Sequence, residues 1–193
     1  MRVIVGMSGA TGAIYGVRLL QVLRSVQDVE THLVISRWAE STILLETPFK
    51  PADVKAMASV VHSYDNQAAS ISSGSFLVDA MVIVPCSMKT LAAVRHGFAE
   101  NLLTRAADVT LKEGRKLIMV PRESPLSQIH LENMLALARM GVTMLPPMPA
   151  FYSGETTVQD LVDHTVGRIL DQLQIPHSLA RRWGERSLDP QTS

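Results

Sequence analysis

Small hydroxyl side chains and cations follow several predicted strands of this chain, at the points where an α/β sheet binds its ligands. Ser36 and Arg37 follow one apolar run, and Ser87-Met-Lys-Thr90 follows another. Arg122 and Glu123 follow a third. Hydroxyls, cations and the N–H groups of a following helix are the usual partners of phosphate. The pattern therefore predicts a site for a phosphate-bearing ligand.

The first predicted strand ends in a glycine-rich turn that suits the same kind of ligand. An apolar run at Val3–Val5 is followed by Gly6, Gly9 and Gly12, and then by an amphipathic helical pattern. Strand, glycine turn and helix together present backbone N–H groups to a phosphate, and glycine permits the tight turn. The spacing is G-x-x-G-x-x-G rather than the G-x-G-x-x-G of dinucleotide enzymes. The turn thus predicts phosphate binding without identifying the ligand.

The predicted second strand ends without the acidic residue that NAD enzymes use to bind the ribose 2′-hydroxyl. Ser36 and Arg37 stand there instead. Arg37 could bind the 2′-phosphate of NADP, so the pattern argues against a nicotinamide cofactor without excluding it. A small hydroxyl suits a ligand that ends in one phosphate, and it equally suits a plain turn. Both interpretations of Ser36 stay open at the level of the residues.

The other candidates also have purely structural interpretations. Ser87 is a good N-cap for the helix that follows it. Arg105, Asp108 and Lys112 are spaced to lie on one helix face, as a solvated ion-paired stripe would. Cys86 is the single cysteine, and without a histidine partner it reads as a buried apolar residue rather than a nucleophile.

Strand-like and helical patterns alternate along the chain. Apolar or β-branched runs at 3–5, 31–35, 79–85, 116–121 and 142–145 predict strands, and 50–64 predicts a short helix and a short strand. Helical patterns lie at about 11–26, 38–45, 89–96, 102–113 and 128–140, and a last one follows a capping Thr157. This alternation is typical of a Rossmann-like, doubly wound, mainly parallel α/β sheet with helices on both faces. We expect a single domain over residues 1–186 and a C-terminal tail over 187–193.

Composition narrows the range of partners. The chain has 193 residues, of which 47% are hydrophobic and 19% charged, and its formal net charge is zero. Because no basic block is present, a nucleic-acid partner is not expected. No apolar run approaches the roughly 20 residues that a membrane helix needs. The scattered histidines show no metal-ligand spacing, so we expect a protein without a metal. With one cysteine, and hence no internal disulfide, we expect a cytoplasmic protein.

Several motifs, in the right order, resemble the flavin prenyltransferase (UbiX-like) family. This family includes the small B subunits of phenolic or hydroxyarylic acid decarboxylase systems. The matching stretches are Gly6-Met-Ser-Gly-Ala-Thr-Gly-Ala13, Pro85-Cys-Ser-Met-Lys-Thr90, Leu103-Thr-Arg-Ala-Ala-Asp-Val109, Pro121-Arg-Glu-Ser-Pro125, His130-Leu-Glu-Asn-Met134 and Pro149-Ala-Phe-Tyr152. The resemblance extends from Met1 to about Arg186, which is nearly the whole chain.

The resemblance implies a set of site residues. The FMN positions of the family fall on Gly9, Ala10, Thr11, Ser36, Ser87, Met88, Lys89, Thr90 and Arg122. The prenyl-phosphate positions fall on Lys112, Tyr152 and Arg168, with Arg105, Arg122 and Glu123 lining the same pocket. Glu46 and Trp183 also match site positions. Many relatives have serine at the position of Thr11, and the threonine keeps the hydroxyl group.

The resemblance also implies a reaction. The family transfers a dimethylallyl group from dimethylallyl monophosphate to N5 and then C6 of reduced FMN, without a metal. Lys112, Arg122, Arg168 and the Tyr152 hydroxyl would bind the leaving phosphate. The ring of Trp183 would stabilise the allyl cation, and Glu123 is a hypothetical proton-transfer group in the C6 step.

The product of this reaction, prenylated FMN, would serve a UbiD-type aromatic acid decarboxylase. The family's large homo-oligomers make a dodecamer one possible assembly.

Two further functions stay open beside prenyl transfer. An FMN-binding decarboxylase shares the fold and the glycine turn, but it does not need the additional phosphate-binding cations. A non-catalytic flavin-binding subunit of a decarboxylase complex is the other alternative.

Overall fold

Six parallel strands form the sheet that positions the candidate residues. The computed structural model describes residues 1–151 and 157–179. The strands are β1 (Arg2–Met7), β2 (Glu30–Ile35), β3 (Val60–His62), β4 (Ala80–Cys86), β5 (Lys116–Pro121) and β6 (Thr143–Met144). Their order is β3-β2-β1-β4-β5-β6, and every neighbouring pair is parallel. The chain reverses its direction of winding between β1 and β4, which is the switch point of a Rossmann-like sheet. The predicted fold class is confirmed.

Helices connect the strands. In the described residues they are α1 (Ala13–Ser25), α2 (Arg37–Glu46), α3 (Pro51–Lys55), α4 (Met88–Arg95), α5 (Leu102–Lys112), α6 (Gln128–Arg139) and α7 (Val158–Leu173). A short 3-10 turn lies at Ser70–Ser72. Small polar N-caps begin α2, α4, α5, α6 and α7, each accepting a hydrogen bond from the backbone of the first turn. The caps explain why the predicted and observed helix starts agree closely.

The two faces of β1 are covered by different helices. Gly6 faces Leu103 of α5, whose Cγ would lie 3.3 Å from a Cβ added to Gly6. Met7 faces α1, and its Cε would lie 2.7 Å from a Cβ added to Gly16. Because consecutive residues of a strand point to opposite faces, α5 and α1 lie on opposite sides of the sheet. β4, from Ala80 to Cys86, is accordingly buried along its whole length.

The chain divides into two compact units, Met1–Pro147 and Met148–Ser193. The first unit carries the sheet and helices α1 to α6. The second carries α7, whose Thr157 hydroxyl accepts from the Asp160 backbone N–H at 3.1 Å, as the sequence predicts. The single domain over residues 1–186 stays a prediction, and the tail at 187–193 lies outside the described residues. No helix of the described residues is long and apolar enough to span a membrane.

Candidate functional site

The carboxyl ends of β1, β2 and β4 are joined by short hydrogen bonds. The Ser8 hydroxyl donates to the Pro85 carbonyl at 3.1 Å and accepts from the Ser87 N–H at 2.8 Å. The Ser36 N–H donates to the Met7 carbonyl at 2.9 Å. These bonds bring the glycine turn, Ser36 and Ser87 together at one edge of the sheet. Sequence reasoning did not identify Ser8 as this link, although a serine directly after a strand and between glycines was a usable signal.

Ser36 and Ser87 both begin helices at this edge. The Ser36 hydroxyl accepts from the Ala39 N–H at 3.1 Å, and the Ser87 hydroxyl accepts from the Thr90 N–H at 3.2 Å. Ser87 is therefore the N-cap that the sequence predicts, and Ser36 begins a helix rather than a plain turn. N-capping is thus the structural role of both serines. It does not compete with ligand binding, because the N-termini of α2 and α4 then present their remaining N–H groups and their positive dipole ends to the same space. Two helix starts and two hydroxyls form a site suited to one phosphate group.

The glycine turn itself is arranged differently from a simple phosphate cradle. Gly12 has a φ of 94°, which is the left-handed region that glycine occupies readily. The Glu46 carboxylate accepts from the Gly12 N–H at 2.7 Å and from the Ala13 N–H at 3.1 Å. The first donors of α1 are thus bound by a side chain of the protein. The anion-binding capacity of this edge lies at α2 and α4 instead.

Gly9 is required by its neighbour α2. A Cβ added to Gly9 would overlap the Cβ of Trp38 and lie 3.4 Å from its Cγ. Trp38 follows Ser36 by two residues, and 77% of its surface is exposed. The lack of a side chain at Gly9 therefore allows the close approach of helix α2. Trp38 was not predicted, because nothing local to its position signals contact with the turn.

Arg122 and Glu123 follow β5 beside the same edge. The Arg122 N–H donates to the Cys86 carbonyl at 3.1 Å, directly next to Ser87. Both side chains are exposed, and Glu123 accepts from the Ser124 N–H at 3.1 Å. Burial raises the pKa of the Cys86 thiol far above its usual range. The fully buried thiol is thus a core residue, as predicted, and not a nucleophile.

The remaining positions of the turn and of α4 also lie at this edge. The Ala10 N–H donates to the Ser8 carbonyl at 2.8 Å, and Thr11 follows it in the turn. Met88 and Lys89 are the first two residues of α4. All predicted FMN positions therefore meet at the carboxyl edge of the sheet.

The two candidate cations of α5 bind groups of the protein itself. Arg105 donates to Asp108 at 2.7 Å and to the Ser72 carbonyl at 3.1 Å, and Lys112 pairs with Glu113. The Arg105–Asp108 pair of the predicted stripe is thus present. Lys112, by contrast, pairs with Glu113 instead of Asp108.

Lys112 is the last residue of α5 and precedes β5, which begins at Lys116 and aligns there with Ala80, the first residue of β4. Lys112 therefore lies at the amino edge of the sheet. The length of β5 separates it from Ser87, a distance of roughly 20 Å for a strand of this size.

The other donor-side residues belong to the second unit. Arg168 lies on α7 and donates to Asp171 at 2.7 Å. Tyr152 and Trp183 fall outside the described residues. Within the residues that the structure describes, no group of three or more His, Cys, Asp or Glu is arranged to hold a metal ion.

The chain is similar to known flavin-binding proteins over nearly all of its length. The Flavoprotein family model matches residues 1–170. A probable UbiX-like flavin prenyltransferase of Streptomyces sp. (strain D7) is 63% identical over 183 residues, which cover 95% of this chain and 92% of the relative.

Two solved structures share the fold closely. A dodecameric FMN-dependent UbiX-like decarboxylase from Escherichia coli O157:H7 is 63% identical, with a TM-score of 0.94 over 95% of this chain and 99% of the other. AnUbiX (PadA1), in complex with FMN and dimethylallyl pyrophosphate, is 50% identical, with a TM-score of 0.93 over 96% of this chain and 98% of the other.

Proposed function

The chain belongs to the UbiX-like flavin prenyltransferases, and we propose that it joins a dimethylallyl group from dimethylallyl monophosphate to N5 and C6 of reduced FMN. The observation that carries the proposal is the relative of 50% identity and TM-score 0.93 whose structure is a complex with FMN and dimethylallyl pyrophosphate. The product, prenylated FMN, would pass to a UbiD-type aromatic acid decarboxylase.

The acceptor half of the proposed site is the carboxyl edge around Ser36 and Ser87. Their two helix N-termini hold the FMN phosphate, because each serine caps one N–H group of its helix and leaves the other N–H groups of the first turn for a ligand. Lys89 in the first turn of α4 and Arg122 beside Ser87 add positive charge. The turn residues Gly9, Ala10 and Thr11 and the α4 residues Met88 and Thr90 complete the FMN contacts.

The donor half consists of cations and one hydroxyl. Lys112, Arg122 and Arg168, with Tyr152, bind the phosphate of the prenyl donor, and Arg105 lines the pocket. Cleavage of the allylic C–O bond separates an allyl cation from a phosphate dianion. Fixed positive charges around the phosphate favour that separation without a metal. Reduced FMN supplies the nucleophile as the second substrate, so orientation of the two substrates carries much of the rate.

Three further residues have proposed roles in the reaction. Glu46, bound to the backbone of the glycine turn, fixes the turn beside the flavin and places one carboxylate oxygen there. Glu123, exposed at the end of β5, transfers the proton in the C6 step. Trp183, which lies outside the described residues, has the proposed role of stabilising the allyl cation.

The position of Lys112 implies that one chain does not complete the site. Lys112, assigned to the prenyl donor, lies at the amino edge, and Ser87, assigned to FMN, lies at the carboxyl edge a strand length away, so we propose that the two residues that serve one pair of reacting substrates come from different copies. Exposed apolar side chains on α6, such as Ile129 (68%) and Leu135 (52%), support association of copies. We therefore propose a homo-oligomer, with the dodecamer of the E. coli relative as the reference.

A reducing compartment suits this reaction. The acceptor is a reduced flavin, and the chain has one cysteine, which excludes an internal disulfide. We propose that the protein acts in the cytoplasm.

Anaerobic incubation with reduced FMN and dimethylallyl monophosphate tests the function. We expect mass spectrometry to show a flavin that has gained one prenyl unit, together with released phosphate. Arg168→Ala should lower turnover at least about tenfold while FMN binding is retained, because it removes a cation from the leaving phosphate only. Arg24→Ala, in the exposed last turn of α1, is the matched control and should react as the wild type does.

Each alternative function has its own outcome in this experiment. Decarboxylation of an added aromatic acid by the chain alone, without any prenylated flavin, would favour the FMN-binding decarboxylase. FMN binding with neither reaction would favour the non-catalytic subunit. Loss of FMN binding in Arg168→Ala would contradict the assignment of Arg168 to the donor.

A further inference from the structure

A chain of three hydrogen bonds ends at the guanidinium of Arg168. The Leu179 N–H donates to Nδ1 of His177 at 3.3 Å. Nε2 of His177 lies 3.0 Å from Oδ1 of Asp171, and Nη1 of Arg168 donates to Oδ2 of Asp171 at 2.7 Å. Because Nδ1 accepts from the backbone, the proton of the neutral ring is on Nε2. His177 therefore donates to Asp171, whose other oxygen binds Arg168.

Along these hydrogen bonds, burial of the side chains increases from Arg168 to Asp171 and then to His177. The side chain of Arg168 is 53% exposed, that of Asp171 is 17% exposed, and that of His177 is 4% exposed. The carboxylate is thus held from the buried side by a ring with little freedom to move. Arg168 extends outward from it, and its described contact with Asp171 uses Nη1 alone. An arginine held in this way keeps further N–H donors for a second oxyanion.

We propose that Asp171 and His177 are positioning residues that orient Arg168 toward the phosphate of the prenyl donor. The inference rests on the proposed function, since it gives Arg168 that ligand. An arginine side chain has many rotamers, and each that does not face the phosphate lowers the fraction of the protein ready to bind it. Asp171 restricts that set by accepting one N–H, and His177 restricts Asp171. Neither positioning residue contacts the substrate.

A purely structural role is the competing explanation. The contact between His177 and Asp171 also joins the segment after α7 to the last turn of that helix. If that were their whole role, their loss would lower stability and would affect both substrates alike. Positioning predicts instead a selective loss of donor affinity that depends on Arg168 being present.

The test measures binding of dimethylallyl monophosphate to the full-length protein loaded with oxidised FMN, by calorimetry, so that no turnover is needed. We expect Asp171→Asn to weaken donor binding about tenfold, as loss of one charge-assisted contact does, and to leave FMN affinity unchanged. His177→Gln, whose amide retains a donor near the position of Nε2, should bind better than His177→Ala. Asp163→Asn on the same helix is the matched control.

The decisive comparison uses the Arg168→Met background. We expect Asp171→Asn to have no further effect on donor affinity there, because the residue it orients is gone. An equal loss in both backgrounds would overturn the inference, and so would wild-type donor binding by Asp171→Asn. The unfolding midpoint of each variant is measured as well, so that a loss of donor binding can be told from a failure to fold. If the wild type does not prenylate FMN, the proposed function fails, whereas wild-type prenylation with additive variants overturns only the positioning role.

Discussion

Single residues at the glycine turn have roles that depend on partners far away in the chain. Glu46 binds the backbone at Gly12 and Ala13, and Trp38 contacts Gly9. The glycine spacing correctly indicates a tight turn at the ligand edge. It does not show which neighbouring group packs so close to each glycine that a side chain is excluded there.

Gly9→Ala tests the contact between the turn and α2. The added Cβ overlaps that of Trp38, so the turn or α2 must shift, and we expect a loss of about 1–3 kcal/mol in the free energy of unfolding. FMN affinity should fall as well, because Ser36 begins α2. Urea unfolding and FMN titration measure both effects.

Trp38→Gly provides the control for that prediction. Adding it to Gly9→Ala removes the overlapping Cβ, so the double variant should lose less stability than the two single losses added together. Simple additivity would show that the damage arises elsewhere.

At the scale of elements, the short edge strand β3 is joined to β2 by two histidines. Nδ1 of His32 lies 2.9 Å from Nε2 of His62, and Nε2 of His32 lies 2.9 Å from the Glu30 carboxylate. The rings are nearly parallel, with centroids 5.2 Å apart. Burial, and then the neighbouring His32, lower the pKa of His62 below its usual value.

This pair makes stability depend on pH in a defined direction. With a lowered pKa in the folded state, the unfolded chain binds more protons, so stability rises with pH and is lost as pH falls below about 6.5, the ordinary histidine pKa. We expect the urea midpoint of the wild type to decrease between about pH 7.5 and pH 5.5.

His62→Asn removes the titrating ring and should flatten that decrease. His96→Asn, at the C-cap of α4, is the matched control and should leave it largely unchanged. A wild-type slope in His62→Asn would contradict the origin that we assign to the pH dependence.

At the scale of the whole molecule, the opposite positions of Lys112 and Ser87 bear on how the site is assembled. Lys112→Ala should impair donor binding, and Ser87→Asp should repel the FMN phosphate, so each variant alone should lose most of its activity. If their residues come from different copies, a mixed oligomer contains some sites with both wild-type residues. Random mixing should then restore about a quarter of the wild-type activity.

Co-expression with two affinity tags and sequential purification isolates the mixed oligomers for this measurement. Lys112→Ala mixed with Lys112→Met is the control and should stay inactive, because no site in it has the lysine. Absence of recovery in the first mixture would place both residues in one chain's site.

The sequence by itself determined the alternation of strands and helices, and hence the fold class. β5 matches its predicted bounds, and the helices begin close to their predicted caps, because hydrophobic periodicity and capping act over a few residues. The same local patterns placed Ser36, Ser87 and Arg122 after predicted strands and so predicted a phosphate site at one edge of the sheet, whereas their assignment to FMN came from the family resemblance.

Only the tertiary structure decided which of these residues meet. The Ser8–Ser87 bond joins positions 79 residues apart, and the Glu46 contact with Gly12 joins positions 34 apart. Lys112, predicted to bind the prenyl donor, and Ser87, predicted to bind FMN, stand at opposite edges of the sheet, because α5 carries the chain back across the sheet before β5 begins. The spacing of residues along the chain describes neighbours within one helix or strand. Contacts between helices and strands follow from how these elements pack. That packing also places the proposed donor and acceptor residues of one copy at opposite edges of the sheet.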